Sequence, residues 1–380
     1  MNINSRLPDV GTSIFTVMSR MALEHGAINL SQGFPDFPVS NELIELIYKN
    51  MKAGHNQYAP MPGTPGLRKA IADLVAKTYQ RPTDFETEVT VTAGGTEAIF
   101  SAIAAFVKEG DEVIMFDPAY DSYDPAVRLN GGKPIHIKLS PPHFSIDWEE
   151  VHLRISSRTR MIMINTPHNP TGTILSEDDL KKLEKIALDH NLIVLSDEVY
   201  ERIIFDDETH QSVLKFSRLA AQSVAVFSFG KTFHATGWKV GYTVAPEFLT
   251  KEIRKAHQFI TFSVNTPVQL ALAEYLGNPD NYLHLGKFYQ QKRDFFLEQI
   301  KGSSLKPIPS HGSYFQLLSY ESVSDLKEME MAEWMTKDKK LAPIPVSAFY
   351  QDKSDHKLLR LCFAKGEETL EKAGTILRKL

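Results

Sequence analysis

Cysteine is nearly missing from this chain: 380 residues carry one, Cys362. A lone thiol excludes an intrachain disulfide and a multi-cysteine metal site, and it points to a reducing compartment. Basic charge is not in excess either. Lys and Arg number 42 against 47 Asp and Glu, a formal net charge of −5, so the electrostatic footprint of a nucleic-acid binder is missing. No apolar run approaches the ~18 residues of a membrane span. The N-terminus lacks the basic-then-apolar order of a secretory leader. The 13 histidines form no H-E-x-x-H cluster, and no metal is expected. Low-complexity tracts and internal repeats are missing as well. What these absences leave is an expected cytoplasmic protein with no nucleic-acid or membrane partner.

What is present is ordinary globular composition, 42% hydrophobic and 23% charged, at a length that suggests two to three domains. Residues 1–14 are polar and resemble an arm. Ser40 is placed to cap a helix running to Lys52, and Thr64-Pro65 to open another. From there strand-like and helical stretches alternate at least five times up to about residue 245, the pattern of βαβ units and a mostly parallel, buried sheet. Five of the apolar runs stop in residues that chemistry can use. Val89-Thr-Val91 leads into Gly94-Gly95-Thr96, Glu112–Phe116 into Asp117-Pro-Ala-Tyr120, and Met161–Ile164 into Asn165-Thr-Pro-His-Asn169-Pro-Thr-Gly172. Leu192–Leu195 leads into Asp197 and Tyr200, and Ser223–Phe227 into Ser228-Phe-Gly-Lys231. Open α/β sheets bind ligands at such carboxyl ends. Near residue 281 the pattern changes to a long helix over 282–300, strands at 314–318 and 358–363, and two more helices, which predicts a smaller α+β unit. The expected division is an arm (1–14), a small domain (15–50 and 286–380) and a large domain (51–285).

A lysine just past a core strand is costly to desolvate and needs a reason. A phosphate loop ending in Gly230-Lys231-Thr232 would need glycine at position 225, where Ala225 stands. A serine nucleophile in Ser228-x-x-Lys231 would need further elements that the chain does not supply. A lysine that links pyridoxal phosphate needs a partner for the pyridine nitrogen and a phosphate cradle as well. Asp197, ending an apolar strand, calls for a cation. Gly94-Gly95-Thr96 opens a helix predicted over 97–108, whose N–H groups suit a phosphate. Lys239 is a second cation, and Tyr120 offers a flat face. Singly, each has a plainer reading as a cap, a turn or a core aromatic.

Their joint order decides. Asn165-x-x-x-Asn169-Pro-Thr-Gly, Asp197-x-x-Tyr200, Ser228-x-x-Lys231, Lys239 and then Arg360 resemble the class I/II aminotransferases of the fold-type I pyridoxal-phosphate enzymes, over essentially the whole chain. Gln32-Gly-Phe-Pro-Asp-Phe37 and Thr236-Gly-Trp-Lys-Val-Gly-Tyr242 are most similar to the branch of bacterial methionine aminotransferases and kynurenine/glutamine transaminases. The resemblance implies an α/β fold and a homodimer. It implies Lys231 as the linking lysine and proton carrier, Asp197 at the pyridine nitrogen, and Asn169 and Tyr200 at the ring oxygen. Gly95, Thr96, Ser228 and Lys239 would hold the phosphate, with Tyr58 reaching in from the neighbouring subunit, and Tyr120 would stack on the ring. Arg360 would grip the substrate carboxylate with Asn169 and the Gly33 backbone. Phe15, Phe34 and Phe262 are candidates for the side-chain pocket. The Asn169-Pro170 bond is expected in cis, turning Asn169 toward the cofactor. The implied reaction is ping-pong between an amino acid and a 2-oxo acid. With no obvious second arginine among the pocket candidates, a dicarboxylate is disfavoured, and methionine leads. Kynurenine or glutamine transamination, or C–S β-lyase chemistry on cysteine conjugates, is the alternative. A cofactor-binding regulator without turnover is a different class, for which no room is left.

Overall fold

A computed structural model describes residues 4–380; the first three residues of the expected arm lie outside the described residues. Seven strands form the central sheet in the order Val89–Thr92, Gly241–Val244, Ser223–Ser228, Ile193–Asp197, Thr159–Asn165, Glu112–Asp117, Lys133–Lys138. All neighbours pair in parallel except Gly241–Val244, which runs antiparallel to both of its own. The central strands are buried on both faces because successive side chains point opposite ways into two separate cores. Val113, Met115, Met161, Met163, Leu195 and Val226 meet helices Gly94–Phe106 and Glu247–Ile260. Ile114, Ile162, Ile164, Val194 and Phe227 meet Pro65–Tyr79 and Glu177–His190 on the other side. Fully burying such a side chain stabilises by about 1.5–3 kcal/mol, before cavity and entropy effects.

The helices begin where local chemistry directs. Pro65 occupies the first turn after Thr64, and Ser176 with Asp179 forms a capping box. Lys181 and Lys182 on that helix pair with Glu177 and Asp178 in solvent. A four-stranded antiparallel sheet, Ile344–Pro345, Leu358–Cys362, Phe315–Ser319, Lys306–Pro307, builds the smaller unit. Met18, Leu30, Tyr314, Phe315, Met331 and Phe363 share its core.

Some expectations shift. The helix expected over 97–108 spans Gly94–Phe106, so both glycines are its first residues. Lys231, just past its strand, stands on a helical turn, Phe229–Thr232. The long helix is interrupted at His284 into Asp280–Leu283 and Leu285–Gln299. Helix Asn41–Lys52, expected in the small domain, packs on the larger body. Leu43 joins the large core, and Glu274 takes Lys49 and Asn50. Phe37, at the end of the Gln32–Phe37 stretch, is enclosed by His234, Phe288 and Tyr289. Among the described residues no helix is long and apolar enough to cross a membrane.

Candidate active site

The carboxyl ends of the parallel strands open into one cleft, and the five predicted strand ends all deliver side chains or backbone to it. Gly94, Gly95 and Thr96 enter from one strand, Tyr120 from the next, and Asn165 and Asn169 from a third. Asp197 and Tyr200 follow, then Ser228 and Lys231; Lys239, Phe15, Gly33 and Arg360 line it as well. The smaller unit supplies Arg360 from the middle of its Leu358–Cys362 strand.

Lys231 is half-buried, open to the cleft on one side. Its Nζ donates to the Tyr314 hydroxyl at 2.8 Å and to the Gly33 carbonyl at 3.3 Å. Burial pulls its pKa down to about 8. Asp197 is 6% exposed. Its carboxylate accepts from the Tyr123 hydroxyl at 2.5 Å and the Val199 N–H at 3.2 Å. Those bonds favour the charge, yet burial wins and pushes Asp197 up to about 6. A buried carboxylate so placed lacks a cation.

Arg360 is fully buried. Its fork donates to Asn169 Oδ1 and to the Ser31 carbonyl, each at 2.8 Å, while Nε has no partner. Phe315, Phe15 and Phe349 surround the guanidinium at 3.9, 5.1 and 5.2 Å from their ring centres. Burial lowers its pKa to about 10, which leaves it charged at neutral pH. Asn169 is itself oriented by Asn165, whose Oδ1 accepts the Asn169 N–H at 2.7 Å, and the Asn169-Pro170 bond is cis. Tyr200 is buried with its hydroxyl pushed up by desolvation.

The glycines leave room for a ligand at the helix N-terminus. A Cβ on Gly95 would sit 2.9 Å from Val199 Cγ1, and one on Gly94, at φ +79°, would crowd Lys239 Nζ at 3.3 Å. A backbone cradle with a lysine over it, a cation-seeking carboxylate and an unpaired guanidinium Nε fit pyridoxal phosphate with an amino acid. Among the described residues no cluster of His, Cys, Asp and Glu could hold a metal.

Three predicted residues are not in the lining. Phe34 is 45% exposed with the Lys365 ammonium over its ring. Tyr58 is 84% exposed and stacks edge-on against Phe262, itself at the surface. Sequence reasoning in turn passed over Gln32 and Phe315, which line the cleft, and Tyr314. Gln32 lies inside the Gln32–Phe37 stretch but was given no role there, and no motif marks the others, which reach the site through contacts distant in sequence.

A model of the family "Aminotransferase class I and II" matches residues 25–376. The chain is 50% identical over 377 residues to the methionine aminotransferase of Escherichia coli, covering 99% of this chain and 98% of that protein. It is 35% identical to kynurenine–oxoglutarate transaminase 3 of Mus musculus, over 98% of this chain and 89% of that one. Its structure is similar to a crystal structure of an E. coli protein described as having a methionine aminotransferase function, at a TM-score of 0.98 over all of both chains and 50% identity. It is also similar to that of N-succinyldiaminopimelate aminotransferase from Mycobacterium tuberculosis, at 0.95 over all of both chains and 33% identity.

Proposed function

Because the chain belongs to the class I and II aminotransferases, a pyridoxal-phosphate-dependent family with the fold-type I architecture, we propose that it moves the amino group of methionine to a 2-oxo acid, with Lys231, Asp197 and Arg360 as its central residues. The observation that carries this is the charge pattern of one cleft. It brings together a depressed lysine, a cation-seeking carboxylate and a buried arginine in an aromatic cage.

When bound, pyridoxal phosphate supplies a carbonyl that takes up the amino group and a ring that withdraws electrons from the substrate α-carbon. The Gly94 and Gly95 N–H groups, Thr96, Ser228 and Lys239 would hold its phosphate at the helix N-terminus. Asp197, kept in place by Tyr123, would face the ring nitrogen, and Asn169 and Tyr200 the ring oxygen, with Tyr120 against the ring face. Arg360 binds the substrate carboxylate through its bidentate fork, exchanging the Ser31 carbonyl for a charged partner. Lys231, with its pKa near 8, both holds and releases a proton at Nζ around neutral pH.

Methionine is favoured by the 50% identical relative and by the lining. Among the described residues the basic side chains of the cleft are Lys231, Lys239 and Arg360, all assigned, so none is left for a second carboxylate. Phe15 and Phe315 offer a polarizable wall for a thioether. A homodimer accounts for Tyr58. It is exposed, yet its neighbours are pinned by Thr266 on the Gln57 carbonyl and Ser263 on the Ala59 carbonyl, as suits a side chain offered to another subunit. The single buried thiol fits a cytoplasmic location. A panel of amino donors with 2-oxoglutarate and 2-oxo-4-methylthiobutyrate as acceptors tests the assignment. We expect methionine to lead in kcat/KM and aspartate to trail. Aspartate leading, or acceptor-independent pyruvate release from cysteine conjugates outpacing transamination, contradicts it.

A further inference from the structure

Tyr314 stands outside every motif that marks the site, yet it is the side chain that hydrogen-bonds Lys231. It is fully buried, one residue before strand Phe315–Ser319 of the smaller unit. Its ring packs edge-on against Tyr200 at 5.1 Å and lies 5.7 Å from Tyr289. A phenylalanine would fill that space equally well. The hydroxyl is the costly part, since burying it without partners is unfavourable. Two hydrogen bonds satisfy it, with the Tyr200 hydroxyl beside it. Tyr314 donates to the Gly33 carbonyl, and because a phenol has one proton, it can only accept from Lys231 Nζ. Gly33 reaches this position because it has no side chain: a Cβ there would meet Phe315 Cζ at 2.8 Å.

We propose that Tyr314 and the Gly33 carbonyl form a two-point dock that positions the Lys231 amine whenever it is not linked to cofactor. This rests on the reading of Lys231 as the linking, proton-carrying lysine. A neutral amine has two N–H bonds and one lone pair. The dock takes both N–H bonds, at 2.8 and 3.3 Å, so the lone pair is directed away from the two acceptors. The ammonium form donates the same two bonds and carries its extra proton at the remaining position. Gaining or losing a proton then changes one position around the nitrogen and leaves the amine in place. Pre-set geometry of this kind is what proton transfer to and from a carbon requires. The charged groups Asp197, Arg360 and Lys239 act on Nζ through charge alone, with the Tyr200 ring centre 5.4 Å away. Tyr314 is therefore a positioning residue carried by the smaller unit for a lysine carried by the larger one.

The test uses holoenzyme of the parent and of Tyr314→Phe, with the cofactor converted to its amino form so that Lys231 is unlinked. The pH dependence of Lys231 acetylation by acetic anhydride is followed by peptide mass spectrometry. Steady-state rates are measured with methionine and with methionine deuterated at the α-carbon. An ammonium donates more strongly than an amine, so losing its acceptor moves the acetylation midpoint down, by about half a unit or more. We expect kcat to fall about tenfold or more, the deuterium isotope effect to rise, and KM to stay within about twofold. A variant that only melts earlier, with midpoint and isotope effect unmoved, overturns the proposal. If Tyr314→Phe does not fold, 3-fluorotyrosine at position 314, a weaker acceptor of the same shape, must still lower the midpoint; an unmoved midpoint there also overturns it. Borohydride reduction of the parent holoenzyme separates the two levels. A cofactor tag on another lysine removes the reading of Lys231 and this proposal with it. A tag on Lys231 beside an unmoved midpoint removes the dock alone.

Discussion

At the scale of single residues, the cleft holds charges whose surroundings resist them, Asp197 and Lys231 beside Arg360. Asp197 is raised from 3.8 to about 6. Its contribution to stability is complete below 3.8 and lost as pH rises through about 6, so at pH 7.5 the apoprotein carries a destabilising carboxylate worth about 3 kcal/mol. Lys231, lowered from 10.5 to about 8, behaves oppositely: its contribution is complete above 10.5 and is lost as pH falls through about 8. We expect Asp197→Asn to raise the melting temperature of the apoprotein at pH 7.5 while cutting kcat/KM by about 100-fold or more. Calorimetry and steady-state kinetics check both, and a lower melting temperature contradicts the first. Arg360→Lys keeps a cation but loses the fork to Asn169 and the substrate, so KM for methionine should rise about 30-fold or more with the cofactor spectrum retained. An unchanged KM removes Arg360 from carboxylate binding. The place of both residues in the cleft was legible in the sequence because each sits in a spaced motif. Tyr123 was not: its partner Asp197 lies 74 residues away, and only the folded sheet brings them together.

At the scale of elements, the strand ends were legible because an apolar run that stops in polar residues marks both the strand and its exit. The edge strand Lys133–Lys138 was not, since its half-exposed, lysine-bounded sequence carries little apolar signal. That strand holds a clamp. His136 sits between Asp117, at 2.8 Å, and Asp124, at 3.1 Å. Asp124 is on the Tyr123–Leu129 helix beside the tyrosine that bonds Asp197. Asp117 also accepts the Gln351 N–H of the smaller unit at 2.8 Å. Burial pulls the imidazole down, but the two carboxylates more than offset it and His136 rises from 6.5 to about 9. The clamp therefore stabilises fully below 6.5 and loses its effect as pH rises through about 9. Discounted for partial solvent screening, this amounts to about 1–2 kcal/mol. Urea unfolding between pH 6 and 10 should show the stability difference between the parent and His136→Gln shrink as pH rises toward 9, whatever the other titrating groups add to both curves. Parallel curves for the two proteins contradict the clamp.

At the scale of the whole molecule, the cleft joins two bodies: the larger supplies Lys231 and Asp197, the smaller Arg360 and Tyr314. Alternation pointed to the parallel sheet and the later strands to a second one, but neither pointed to the side on which helix Asn41–Lys52 packs. Its apolar stripe is the same whichever core receives Leu43, and Ile44, Tyr48 and Met51 stay exposed at 43, 54 and 50%. Tyr58 and Phe259 are exposed as well, at 84 and 86%, and the proposed homodimer would cover such side chains. Sedimentation should accordingly give twice the chain mass, and a species of single chain mass that retains full activity contradicts the dimer. The most direct test of the central claim is covalent: reduce the cofactor-loaded protein with borohydride, digest it, and identify the tagged peptide by mass spectrometry. The account predicts a single pyridoxyl group on Lys231, and a tag on any other lysine, or none after reconstitution, contradicts it.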